Sequence, residues 1–470
     1  MISLIPAILL ILSVVNLCFC QLETVTVKIE QGEIRGKVDT TIHGLRYYGF
    51  LGIPYAKPPV GSLRFKLPVN ESVELKHVMV YIHGGGYTQG SGTLTFYGFL
   101  STGDSVIPGN NGMKDQVLAL RWVQQNIANF GGNPNSVTIF GVSAGGCSVH
   151  SLVISPLAAG LFHKAIAESG SALNQWAHEE PEVVHNKAAD LCVILGNTTN
   201  NSIEIADFLR SLNFVDIVEA QLIATSTYQD HEVLPFFELT SEREVEAGEM
   251  VFLQEAPINI VRSGNFNQLP FMSGTVTDEG SLLFGEVLFN SSRLDYYDQH
   301  PELFVPKDLN VYLSSEEMNA LGELATDISI LFGLDRHVHL HAAISKSPVY
   351  QYLFSFNGLW GSLKLSTGDL FPAVVHGEEE FYLFHTRIYD YIENSPEYTT
   401  LKRMVKLWTN FAKTGNPTPE ADPLLQNITW TPAKALDRFY LDIGRDLVLK
   451  RNLQNDRMSF WEDIYTSVAG

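Results

Sequence analysis

Short apolar runs alternate along this chain with stretches in which apolar residues recur every three or four positions. Val78-Met79-Val80-Tyr81-Ile82, Val137-Thr138-Ile139-Phe140 and the run from Leu269 to Gly274 are of the first kind and predict buried strands. Val117, Leu120, Val123 and Ile127 share one helical face and predict a helix from Asp115 to Asn129. Helices are predicted likewise from Ala144 to Ile154, from Leu161 to Glu168 and from Lys402 to Lys413, the last stopped by Gly415. From Glu179 to about Tyr228 the pattern is helical and polar, suited to a cap over a gorge. Strands alternating with helices predict an α/β fold, a mostly parallel central sheet with helices on both faces.

The candidate chemistry sits where one predicted strand meets a helix. Val137 to Phe140 runs into Gly141-Val142-Ser143-Ala144-Gly145, the setting of a nucleophile elbow. Gly-x-Ser-x-Gly alone is common among ordinary turns. On a tight strand-to-helix turn, however, glycines remove side chains that would collide with the flanking elements, and the serine is left exposed at a helix N-terminus. The strand from Val78 to Ile82 ends in His83-Gly84-Gly85-Gly86-Tyr87. Glycines after an apolar strand suit a backbone whose N–H groups face a ligand. The proposed oxyanion donors are the amides of Gly85, Gly86 and Ala144, and losing one such donor typically raises the barrier by about 2.7–4 kcal/mol. Downstream, Thr275-Val276-Thr277-Asp278-Glu279-Gly280 follows a predicted strand, and Val374-Val375-His376-Gly377-Glu378-Glu379 sets a histidine after an apolar run. Their order, serine, acid, histidine, is that of an α/β-hydrolase triad.

Together these motifs resemble the type-B carboxylesterase/cholinesterase family of α/β-hydrolases. The likeness extends through the Phe50 to Gly61 and Gly109 to Gln116 segments, Trp408 to Pro417 and the Phe460-Trp461 tail. It implies Ser143 as nucleophile, Glu279 as triad acid and His376 as general base. It also places Ser169 beside the triad acid and Trp176 at the acyl pocket, with Tyr87 and Val142 as further pocket residues. Cholinesterases and many carboxylesterases carry Glu where this chain has Val142, and juvenile hormone esterases typically Gln. An apolar residue there disfavours a cationic choline ester. The resemblance therefore implies a neutral, hydrophobic carboxylic ester as substrate, with juvenile hormone esterase-like and detoxifying roles both open, and it implies neither metal nor organic cofactor. No cysteine/histidine cluster with zinc spacing occurs.

Against the family pattern two segments are short. Only Lys66 to His77 stands between Leu63-Arg64-Phe65 and the oxyanion strand, and only Ser91 to Tyr97 between Gly90 and Gly98. The expectation is a sheet that has lost two strands, with Val78 to Ile82 left at its edge. Asp115 and Arg64 would lose the partners the resemblance implies, and Asp115 would be a buried charge without a counter-ion. Such gaps read as those of a spliced or mispredicted transcript, since interior strands tolerate deletion poorly.

Composition narrows the setting. Leu4 to Leu17 is apolar, uncharged and too short to span a bilayer, so residues 1–20 read as a signal peptide cleaved before Gln21, with residues 21–470 as one hydrolase domain and the protein secreted. The net charge of −21 argues against nucleic acid or an anionic membrane as partner, while a small-molecule ester is what the resemblance implies. Glycosylation sequons at Asn70, Asn197, Asn200, Asn290 and Asn427 fit that route. Beyond the leader only Cys147 and Cys192 remain, expected as two free buried thiols. Two rival classes stand beside the esterase: a non-catalytic binding module on this fold, and an inactive truncated product.

Overall fold

The protein is described here from a computed structural model, covering residues 24–29, 31–41, 45–50, 53, 75–87, 98–228, 237–242, 250–280, 318–367, 373–384, 389 and 392–468. The leader, Arg64, the segment from Ser91 to Tyr97 and the sequons at Asn70 and Asn290 lie outside the described residues. The chain divides into two units, Met1–Lys76 with Arg121–Pro134, and His77–Leu120 with Asn135–Gly470.

In the first unit β1 (Thr24–Ile29), β2 (Gly32–Thr40) and β3 (Arg46–Gly49) form an antiparallel sheet in that order. Exposed and half-buried residues alternate along β1, the period of a strand covered on one face.

The other elements follow as β4 (Lys76–Ile82), α1 (Asn111–Asn126), β5 (Gly132–Val142), α2 (Ala144–Ile154), β6 (Lys164–Glu168), β7 (His178–Glu179), α3 (Pro181–Ile194), α4 (Ser202–Ser211), α5 (Phe214–Tyr228), β8 (Leu239–Thr240), α6 (Pro257–Ser263) and β9 (Phe271–Val276). After these come α7 (Met318–Thr326), α8 (Phe332–Ile344), β10 (Val349–Phe354), α9 (Ser362–Thr367), α10 (Pro396–Thr414), β11 (Phe439–Ile443), β12 (Leu447–Arg451) and α11 (Asn455–Val468). Seven strands make one sheet, in the order β12-β11-β10-β9-β6-β5-β4. β5 through β11 pair in parallel, and β12 turns back antiparallel on β11. Every residue of β9, and of β5 from Ser136 onward, is buried, as a parallel strand covered on both faces requires.

β4 stands at the end of this sheet, with β5 as its neighbour among the described residues, and only Val78 of its seven residues is fully buried. The expected sheet edge is therefore present. Two expectations are overturned. Lys164–Glu168, within the stretch predicted as helix from Leu161, is strand β6, paired in parallel with β5 and β9. A short apolar run buried on both sides shows neither the helical nor the alternating period, so its spacing carried no information. Asp115 is exposed on α1 rather than buried, and the partial desolvation that remains raises its carboxyl above the usual carboxylate value.

The core is centred on β9 and β10 and closed by α10. Ser395 caps α10 by accepting from the Tyr398 amide at 3.1 Å, Pro396 opens it, and Gly415 ends it in the left-handed conformation. The buried face of α10 carries Met404, Leu407, Trp408 and Phe411, with Trp408 edge-on to Tyr352 at 5.2 Å. Cys147 and Cys192 are free and buried, as expected.

Candidate active site

β5 ends at Val142 and α2 starts at Ala144, so the whole turn is Ser143. Its backbone sits at φ +60° and ψ −127°, a region that a residue with a side chain occupies only when its surroundings impose it. Here they do. The Ser143 amide donates to the Glu168 carbonyl at 2.8 Å, and the Ser143 carbonyl accepts from the Cys147 amide at 2.9 Å. All of α2 is buried, which pins the helix beneath the turn.

The glycines are dictated by backbone approach. A Cβ on Gly145 would lie 2.1 Å from the Ile82 carbonyl oxygen, and one on Gly141 2.3 Å from the same atom. One on Gly84 would meet the Val142 carbonyl at 2.9 Å and Ser143 Cβ at 3.0 Å. The segment from Ile82 to Gly84 is thus pressed against the elbow. Gly85 at φ +105° and Gly86 at φ +57° adopt backbone open to glycine, whereas Tyr87, at φ +57°, is held there by burial and by Phe99, whose ring centre is 4.6 Å away.

Glu279 leaves β9 and points back at it. Its Oε1 accepts from Thr275 Oγ1 at 2.5 Å and from the Val276 amide at 3.0 Å, while Oε2 lies 2.5 Å from His376 Nδ1. The two loops are fastened together, the Asp278 amide donating to the Val374 carbonyl at 3.0 Å and the Val374 amide to Asp278 Oδ2 at 3.2 Å. His376 Nε2 is buried and has no hydrogen-bond partner among the described residues. Burial pushes the Glu279 carboxyl upward, but the charge and hydrogen bond of His376, with help from Ser169 and Thr275, hold it below the usual carboxylate value. Burial works against the His376 cation, yet Glu279, and beyond it Glu379 and Glu380, raise its pKa above the ordinary histidine value.

The other expected residues are placed as follows. Ser169, at φ +48°, donates to Glu379 Oε1 at 3.2 Å and also lies against Glu279. Val142 is buried beside Gly84, and Ala144 opens α2. Trp176 is buried with its indole N–H on the Ser329 carbonyl at 2.6 Å, which fixes its orientation. Asn200 and Asn427 are exposed and Asn197 is half-buried.

The residues that motif reading missed are the acids after His376. Glu378 pairs with Lys364, Glu380 accepts from Tyr81, and Glu379 is 3.4 Å from the Tyr352 hydroxyl. The Tyr352 ring lies flat on β9 because Gly274 has no Cβ, which would come 2.2 Å from that ring. Beneath the elbow Glu168 accepts from the Trp408 indole, and burial pushes its carboxyl up to about 8. The available signal was the run Glu378-Glu379-Glu380 in an otherwise apolar stretch, since such charges are buried only with partners.

Three buried imidazoles bring one nitrogen each within 4.8 Å, those of His150, His337 and His341. The Ala172 amide donates to His150 Nδ1 at 3.1 Å, which leaves that ring's proton on Nε2, facing His341 Nε2 at 3.2 Å. His337 stacks on His150 at 3.8 Å. The set is arranged as neutral core packing rather than as three lone pairs converging on an ion.

Parallel strand order, helices along the sheet and a strained serine between a buried strand and a buried helix define an α/β-hydrolase. The sequence profile of the carboxylesterase family matches residues 23–74 and 93–461. The chain belongs to this family, the type-B carboxylesterases and cholinesterases, and is a carboxylic ester hydrolase. It is similar to esterase FE4 of Myzus persicae, 31% identical over 87% of this chain and 88% of that one, and to a juvenile hormone esterase of Tribolium castaneum, 29% identical over 85% and 84%. The crystal structure of the juvenile hormone esterase from Manduca sexta, with OTFP covalently attached, shares the fold. It has a TM-score of 0.80 at 24% identity, covering 94% of this chain and 100% of the other. The alignment to esterase FE4 runs over 507 positions, more than the 470 residues here, so that relative carries segments this chain lacks.

Proposed function

We propose that this protein is a secreted serine carboxylesterase acting on neutral, hydrophobic carboxylic esters through an acyl-enzyme. The observation that carries this reading is the contact of His376 Nδ1 with Glu279, which leaves the opposite ring nitrogen without a partner. His376 takes the proton of Ser143 as the hydroxyl attacks the ester carbonyl, and Glu279 stabilises the imidazolium. The amides of Ala144, Gly85 and Gly86 receive the oxyanion. The alcohol departs with the proton from His376, and water then attacks the acyl-serine by the same relay.

Val142, apolar and buried behind the nucleophile, supports a neutral ester over a choline ester. The leader supports secretion, with glycans expected at the exposed Asn200 and Asn427. Among the described residues no helix is long and apolar enough to cross a membrane.

The test compares hydrolysis of neutral nitrophenyl esters of increasing acyl length with that of a choline ester, using protein from the culture medium and its Ser143→Ala variant. Turnover of the neutral esters should fall by roughly four orders of magnitude or more in the variant, and the choline ester should be the poorer substrate. Turnover that survives Ser143→Ala, or a preference for choline ester, would overturn the reading. An N-terminus at Gln21 in the medium is the result expected for secretion.

A further inference from the structure

β4 feeds directly into the glycine loop, and the Ile82 carbonyl is the atom against which Gly141 and Gly145 must remain bare. Any displacement of this strand therefore moves the loop amides relative to Ser143. Yet among the described strands β4 is the edge one, and an edge strand has fewer restraints than any interior one.

Tyr81 restrains it from another direction. Its ring centre lies 5.1 Å from that of Phe140 on β5 and 4.7 Å, edge-on, from that of Phe384, and the last two stack at 6.0 Å. Its hydroxyl donates to Glu380 Oε1. Glu380 belongs to the 3-10 turn Glu378–Tyr382 that starts two residues after His376, and its amide donates to the Gly377 carbonyl at 3.3 Å. The Phe384 amide in turn donates to the Glu380 carbonyl at 2.9 Å, which places both residues in one hydrogen-bonded turn. The carboxylate lies within electrostatic reach of both His376 and His83.

We propose that the Tyr81–Glu380 hydrogen bond locks the oxyanion-loop strand to the turn carrying His376, and so positions the loop amides and the base relative to each other during ester hydrolysis. This rests on the reading of Ser143, Glu279 and His376 given above. Tyr81 and Glu380 are positioning residues: they act through the loop and through His376, not on the ester.

The experiment compares wild type, Tyr81→Phe, Glu380→Gln and the double variant on one neutral nitrophenyl ester, with active sites counted by a fluorophosphonate probe and Ser143→Ala as blank. Tyr81→Phe keeps the ring packing and removes only the hydroxyl. It should lower kcat about tenfold with KM within twofold, because misplacement falls on the transition state. Glu380→Gln keeps an oxygen that can accept from the hydroxyl, so its loss should be the smaller of the two, but it should shift the acid limb of kcat/KM to lower pH, which loosened packing would not do. The double variant should be no slower than the slower single. Tyr81→Phe with at least half of wild-type kcat, single losses that multiply in the double variant, or an unmoved acid limb in Glu380→Gln would each overturn the proposal. Wild type without Ser143-dependent turnover would overturn the underlying reading as well, which separates the two failures.

Discussion

Nδ1 of His376 lies 2.5 Å from Oε2 of Glu279, and the other oxygen of that carboxylate is held by Thr275 at 2.5 Å and by the Val276 amide at 3.0 Å. With both oxygens engaged the carboxylate cannot turn, and the imidazole is fixed with its second nitrogen outward. Glu279→Gln would offer an amide N–H where an acceptor is needed and favour the wrong tautomer. A loss of kcat of about 10⁴-fold is expected. Thr275→Val removes one hydrogen bond, worth about 1 kcal/mol, and kcat/KM should drop several-fold. Steady-state kinetics at fixed active-site concentration measures both.

The same pair sets the pH dependence. In the proposed mechanism His376 must be neutral to accept a proton, and its pKa is raised above the ordinary histidine value of 6.5 by Glu279, against the opposing effect of burial. Activity should therefore fall with acidification through a pH above 6.5, earlier than for an isolated histidine. Glu279, held low, stays ionised through that range. A kcat/KM profile with its acid limb below pH 6 would contradict this.

The crowding at the elbow predicts a steep penalty for one methyl group. In Gly145→Ala the new Cβ meets backbone, the Ile82 oxygen at 2.1 Å and the His83 oxygen at 2.8 Å, neither of which can swing aside as a side chain could. Activity should fall more than about a hundredfold, as expected for displacement of positioned groups, with a lower unfolding midpoint. Gly322→Ala is the control. Its Cβ has open space on α7, and the substitution should be neutral or stabilising by about 0.4–1 kcal/mol.

Much of this site was legible because its chemistry demands particular residues in short local contexts. A serine between glycines after an apolar run, a glycine loop after another strand, and an acid and a histidine each after a third and fourth run are patterns a few residues long. The end position of β4 among the described strands was legible too, from the two segments that are short against the family pattern. What stayed hidden was long-range or two-sided. Tyr81 meets Glu380 across 299 residues and Trp408 meets Glu168 across 240, and no local spacing records either contact. β6 was misread as helix because Ala165, Ile166 and Ala167 are buried on both faces and leave no period. The burial expected of Asp115 came from the family's missing partner rather than from its own position on α1, and there it faces solvent.

The stacked histidines predict acid sensitivity unrelated to catalysis. Burial lowers the pKa of His150 and His337 well below 6.5 and that of His341 to about 3. The folded state binds fewer protons than the unfolded one, so their contribution is present above pH 6.5 and is lost as pH falls below it, by up to about 1.4 kcal/mol per pH unit for each histidine. His337→Leu removes one such group, neither of whose nitrogens has a hydrogen-bond partner among the described residues. The gap in unfolding midpoint between variant and wild type should shift in the variant's favour from pH 7 to pH 5, and a constant gap would contradict the idea.

The central claim is that Ser143, Glu279, His376 and the glycine loop assemble into a working site although β4 lies at the sheet edge. Its most direct test is the intact mass of the purified protein after reaction with a fluorophosphonate, beside Ser143→Ala. A single adduct, absent from the Ser143→Ala protein, is the predicted result. Folded protein that takes up no probe, or an adduct that persists in Ser143→Ala, would contradict it.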